Sequence, residues 1–163
     1  MLFRAVRPSL SMVKKIFLGL ILVAVVGQFF RPQKNLSAAT PTTDLLVVHA
    51  APPEVKQLLS VGCYDCHSDN TRYPWYAEIQ PVAWWLARHV DDGKRELNLS
   101  SFGELSAKRK ASRLESMIDS ITTGEMPLKS YTLVHRDAKF SAAQIKVLTD
   151  WLEALRDEVA PDK

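Results

Sequence analysis

Hydrophobic residues fall along this chain as one unbroken run followed by several helical stripes. The run is Ile16 to Phe30, uncharged throughout and flanked by Lys14, Lys15 and Arg31. Its fifteen residues cover about 22 Å as helix, against a hydrocarbon core of roughly 30 Å. Met12, Val13 and the snorkelling stems of the lysines extend it to spanning length. Residues 31–52 read as a tether dominated by Pro, Ser, Thr and Ala. Within it, Leu45-Leu46-Val47-Val48 either packs against the domain or forms a short strand, and His49 is expected in solvent.

Beyond the tether the apolar positions recur at helical spacing. Pro53 suits a first helical turn, and Glu54 complements the positive end of the helix dipole. Val55, Leu58 and Leu59 then make one face, which Gly62 closes. In a second helix, opened by Pro81 and ended by Gly93, the residues Val82, Trp85, Leu86 and His89 recur at i, i+3, i+4 and i+7. A third runs from about Ser106 to Thr123 and buries Leu114, Met117, Ile118 and Ile121, with Gly124 as its terminator. The last has a capping box, Ser141 with Gln144, and a stripe of Ile145, Leu148, Leu152 and Leu155. Nothing sustains β alternation. The fold class expected is all-α, a bundle of four to five helices preceded by an N-terminal transmembrane helix.

Charge changes this picture in one respect. The chain carries a net +3, but residues 1–43 hold six basic residues and no acid, leaving 15 basic against 18 acidic residues beyond. The basicity belongs to the targeting segment, so no nucleic-acid partner is expected. More positive charge precedes the apolar run than follows it, which keeps the N-terminus cytoplasmic and exports the body. Ser37-Ala38-Ala39 offers small residues for cleavage but lies far from the run, so an uncleaved anchor is favoured. The expected organisation is a cytoplasmic N-terminus at 1–15, an anchor at 16–30, the tether at 31–52, a domain at 53–158 and a tail at 159–163. The chain is placed in the inner membrane as a single-pass protein with its domain in the periplasm.

The candidate chemistry sits in Cys63-Tyr64-Asp65-Cys66-His67, which holds both cysteines of the chain. Two thiols at this spacing can each close a thioether to a vinyl group of one haem, and the histidine behind them can ligate its iron. Competing readings are weaker. A closed zinc site wants four ligands, and no second cysteine pair exists. A thioredoxin-type pair follows a strand, and no strand pattern precedes Cys63. A disulfide here closes too short a loop to stabilise much. The cofactor expected is therefore one covalently bound haem c, with Cys63 and Cys66 as attachment points and His67 as proximal ligand.

For the other axial position, Met126 follows a helix end and is stiffened by Pro127, a loop setting that suits a thioether ligand. His89 is the rival, and His135 a weaker one. Trp75, Tyr76, Trp84 and Trp85 cluster soon after the haem motif and suit walls that keep water from the macrocycle. Lys108-Arg109-Lys110 reads as a solvated patch.

With these residues in hand, the order helix, C-x-x-C-H, long middle section, Met-Pro loop and C-terminal helix resembles the class I cytochrome c fold. Residues from about 55 to 155 more specifically resemble the small bacterial haem-binding domain family. That likeness is carried by Cys63 to Ser68, Thr71 to Tyr76, Pro81 to Trp85, His89-Val90, Asn98 to Ser100, and Gly124 to Pro127 with Tyr131 and His135. It implies covalent c-type haem and a membrane-anchored, exported location. The function expected is a periplasmic mono-haem cytochrome that carries electrons to or from a redox partner protein, and not an enzyme. The alternative is a haem-based sensor or small-ligand binder with a displaceable distal ligand.

Overall fold

The computed structural model describes residues 10–161; Arg4 and Arg7 of the basic N-terminus and the last two residues of the tail lie outside them. The helices are α1 (Leu10–Gly27), α2 (Leu45–Val48), α3 (Pro53–Gly62), α4 (Tyr64–His67), α5 (Val82–Glu96), α6 (Ala107–Thr122), α7 (Lys129–Val134) and α8 (Ala142–Val159). Short 3-10 turns lie at Trp75–Glu78, Leu99–Glu104 and Arg136–Ala138. No strand occurs among the described residues, and the protein is all-α. The four longest helices of the body, α3, α5, α6 and α8, are those that the periodicity predicts. The shorter turns fill the connections between them.

The chain divides into two units. The smaller comprises the described residues up to Gln33 together with Tyr73–Ala87; the larger comprises Lys34–Arg72 and the chain from Arg88 onward. Helix α5 begins in the first and ends in the second.

In the smaller unit no residue of α1 is buried. Side chains close the end of this helix. Gln80 Nε2 and Trp84 Nε1 both donate to the Phe30 carbonyl (3.1 and 2.8 Å), and the Gln80 amide donates to Gln28 Oε1 (3.0 Å). Arg31 pairs with Glu78 at 2.6 Å.

In the larger unit α6 and α8 form the most extensive helix pair. Leu114, Met117, Ile118 and Ile121 of α6 meet Leu148, Leu152 and Leu155 of α8, and Val55, Leu58 and Leu59 of α3 join the same core. Phe102 lies fully buried among them. The capping box of α8 is formed as expected, with Ser141 Oγ accepting from the Gln144 amide and Gln144 Oε1 accepting from the Ser141 amide.

Leu45–Val48 packs against the domain, the first of its two expected alternatives, with Leu45 fully buried. It forms one helical turn, which Asp44 caps by accepting from the Leu46 amide at 2.9 Å. Two expectations are corrected. His49 is consequently not solvated: its side chain is 15% exposed, edge-on to Phe102 at 6.0 Å. Finally, α5 runs through Gly93 to Glu96. A glycine ends a helix when its conformational freedom is used; here its missing side chain is used instead. A Cβ on Gly93 would lie 2.6 Å from the Cys66 carbonyl oxygen, so only glycine lets α5 approach the cysteine turn so closely.

Leu148→Ala should lower the unfolding free energy by about 2–5 kcal/mol through lost burial and a residual cavity. Ser141→Ala, which removes the cap alone, should cost about 1 kcal/mol. Urea unfolding followed by far-UV circular dichroism measures both.

Candidate functional site

Helix α3 delivers the motif almost without interruption. The Cys63 amide donates to the Leu59 carbonyl and the His67 amide to the Cys63 carbonyl, each at 2.9 Å. The five residues therefore form a helical turn, and a helical turn sends neighbouring side chains in different directions.

The two intervening residues fasten the turn to the body. Tyr64 donates its hydroxyl hydrogen to Asp44 Oδ1 at 2.7 Å. Asp65 is buried, and its carboxylate accepts from Arg72 Nε (3.0 Å), Arg72 Nη2 (3.1 Å) and the Tyr131 hydroxyl (2.7 Å). Burial pushes the Tyr64 and Tyr131 hydroxyls well above the usual tyrosine range, and the adjoining carboxylates add to it, so both act as donors. Asp69, just beyond the motif, pairs with Lys94 of α5 at 2.7 Å.

The three remaining motif residues line a cleft. Cys63, Cys66 and His67 share a space of about 170 Å³ with His89 and Gly93 of α5, with Met126 and Pro127, and with Tyr131. A second cavity of about 250 Å³ shares Cys63, His67 and Met126 in its walls and adds Leu97, Leu99, Met117 and Ile121. The structure thus brings together all five residues singled out as attachment points or ligands. His135 is not among the lining residues; its ring stacks on that of Tyr131 at 4.2 Å between centroids.

Each candidate donor is held in a definite way. His67 Nδ1 lies 3.0 Å from the Leu97 carbonyl oxygen, which fixes the ring and leaves Nε2 as the nitrogen for a metal. Met126 sits beyond the end of α6, where Gly124 adopts φ 74° and turns the chain. Its amide donates to the Ser120 carbonyl at 2.9 Å, and its side chain is 37% exposed at the cleft. Cys63 and Cys66 are free thiols. Burial pushes Cys63 up to about 12 and Cys66 up to about 11, with Cys66 adding to the rise at Cys63 and Asp65 to that at Cys66.

These features discriminate among chemistries. A reactive dithiol needs thiolate character, and this pair is held neutral. Among the described residues, no three His, Cys, Asp or Glu side chains converge to hold a metal ion. A macrocycle that brings its own four nitrogens needs only axial donors, and His67 with Met126 or His89 can supply them. The walls of both cavities are mainly apolar, and Arg113 lies in the wall of the second.

Residues 22–154 match the family model of the haem-binding domain. The chain belongs to the haem-binding domain family. No curated protein and no solved structure matches it. The match starts within α1, ends within α8 and contains the whole cleft, so haem is the ligand of this haem-binding domain.

One expectation fails at the site. The lining residues of both cavities belong to the larger unit, and none is a tryptophan. Trp75, Trp84 and Trp85 belong to the smaller unit and are 77%, 45% and 46% exposed, and none of them lines either cavity. Proximity in sequence to the motif was a poor guide because the chain leaves the larger unit at Arg72. Conversely, the fastening roles of Tyr64, Asp65, Arg72 and Gly93 carry no local pattern in the sequence. The burial of Asp65, which calls for a partner, is visible only in the fold.

Tyr131→Phe removes a hydrogen bond to a buried carboxylate and should cost about 1.5–3 kcal/mol in unfolding free energy. Gly93→Ala should cost about 1–3 kcal/mol, because the new methyl group overlaps the Cys66 carbonyl. Denaturant unfolding of each variant checks both.

Proposed function

We propose that the haem-binding domain is a membrane-anchored electron carrier whose single haem is attached covalently through Cys63 and Cys66. The observation that supports this most is the pairing of two free, neutral thiols with a histidine whose Nδ1 is already engaged, all on one cleft. Each thiol would supply its sulfur and its proton to one vinyl group, an addition with no net oxidation, and Cys63 and Cys66 would then hold the group through two thioethers. The product sulfurs carry no charge, so the burial that opposes a thiolate here does not oppose a thioether.

Bound haem supplies a one-electron iron couple. His67 would hold the iron through Nε2, oriented by Leu97, and Met126 would hold it through its sulfur, from a loop fixed by the Ser120 carbonyl and by Pro127. His89, on the wall formed by α5, is the alternative to Met126. Two protein donors on the iron would leave no position for a substrate, which favours electron transfer over catalysis. Helix α1 has the length and a mean hydropathy of 2.1 that suit an anchor. The charge asymmetry around it favours a cytoplasmic N-terminus with the domain in the periplasm.

The alternative reading, a sensor of small ligands, requires that the distal donor be displaceable.

The protein exported through a cytochrome c maturation system should give a pyridine haemochrome spectrum of two thioether bonds per haem. Acid-acetone extraction that removes the colour would refute covalent attachment. Met126→Ala should abolish the near-infrared charge-transfer band of ferric haem and lower the potential by part of the roughly 0.8 V that axial ligands control. If the wild type lacks that band and His89→Ala changes the spectrum instead, His89 is the ligand. Slow or absent binding of carbon monoxide to the reduced wild type supports the carrier; rapid binding supports the sensor.

A further inference from the structure

The tryptophans excluded from the haem cleft need another explanation, and the smaller unit provides one. We propose that Tyr73–Ala87 forms a lipid-facing surface that lies in the interfacial region of a bilayer beside the end of α1. The proposal rests on the reading of α1 as a membrane span, and extends it from a helix to a second, aromatic segment.

Four observations carry it. First, the segment exposes Trp75, Ile79, Trp84 and Trp85, and the end of the apolar run exposes Phe29 and Phe30. Exposed large apolar side chains gathered in one unit mark a docking site or a membrane contact. Second, tryptophan and tyrosine suit the bilayer interface because a large apolar ring carries a polar N–H or O–H. Third, the only charged residue in Tyr73–Ala87 is Glu78, and it is neutralised by Arg31 at 2.6 Å. Unpaired charge is costly against lipid, and the one charge of this segment is paired.

Fourth, the segment is fastened to the chain just past the end of α1. Trp84 and Gln80 hold the Phe30 carbonyl, and Gln28 and Gln80 bond to each other. The junction leaves an apolar groove of about 480 Å³, lined by Leu22, Val23, Val26, Phe30, Pro81 and Trp84 among others. Acyl chains can fill it without leaving a polar group unsatisfied, since the backbone carbonyl at its rim already has two donors.

The test uses the full-length holoprotein labelled with 5-fluorotryptophan in vesicles of phosphatidylethanolamine and phosphatidylglycerol. A gadolinium chelate is carried on a fraction of the lipid headgroups. Lanthanum in its place gives the reference spectrum and takes out broadening by the haem iron. Trp→Phe variants at positions 75, 84, 85 and 151 assign the four fluorine resonances. The expected result is severalfold gadolinium broadening of Trp75, Trp84 and Trp85, with Trp151 of α8 unchanged. If the chain floats with the vesicles but those three lines stay as sharp as that of Trp151, the anchor stands and the proposed surface does not. If the gadolinium effect fades as the protein-to-lipid ratio rises, the surface belongs to a second copy of the chain and the proposal is overturned. If the chain does not float with vesicles at all, the membrane reading of α1 fails and takes this proposal with it.

Discussion

Five consecutive residues must meet two demands at once: three of them face a cleft, and the turn that presents them must not move. The hydrogen bonds of Tyr64 to Asp44 and of Asp65 to Arg72 and Tyr131 meet the second demand. They use the two positions that the cysteine spacing leaves over. Each of these bonds reaches a different part of the chain: the turn before α2, the strand-free stretch after the motif, and α7. Removing a partner would strand a buried carboxylate, which costs more than the bond itself contributes. The turn is thereby locked from several directions, and a precise arrangement at the cleft follows from polar groups that never enter its chemistry.

The same fastening links the two walls of the cleft. Tyr131 lies on the segment that follows Met126, and its hydroxyl reaches back to the motif. Gly93 brings α5 against Cys66, and Leu97, one turn further on, receives His67. Thus the histidine orientation, the approach of α5 and the position of the methionine loop are parts of a single packing solution. The apolar core of α3, α6 and α8 stands behind this solution as support.

Much of this was legible in the residues. The 3.6-residue periodicity located α3, α6 and α8, since a stripe of Leu and Ile has few other uses in a chain without β alternation. The capping box of Ser141 and Gln144 marked the start of α8 by its own hydrogen-bond logic. The Cys63–His67 motif named the cofactor, because its spacing serves few other chemistries. What stayed hidden depended on contacts distant in sequence. Gly93 looked like a terminator, because nothing local tells a glycine that turns the chain from one that admits a neighbour. Leu45 looked like part of a tether, because a four-residue apolar patch has no period. Trp75, Trp84 and Trp85 looked like cofactor walls, because sequence neighbourhood stood in for a spatial division that only the fold reveals.

The Met126 loop has a property that reaches past its present side chain. Its main chain is tethered through the amide to Ser120 and turned by Gly124, and neither contact involves the thioether. The course of the backbone is therefore independent of what position 126 carries. Such a position acts as a socket, where side chains of different hardness and length can be exchanged on one frame. On the proposed ligation, the tuning of the iron and its openness to outside molecules would become a matter of a single codon.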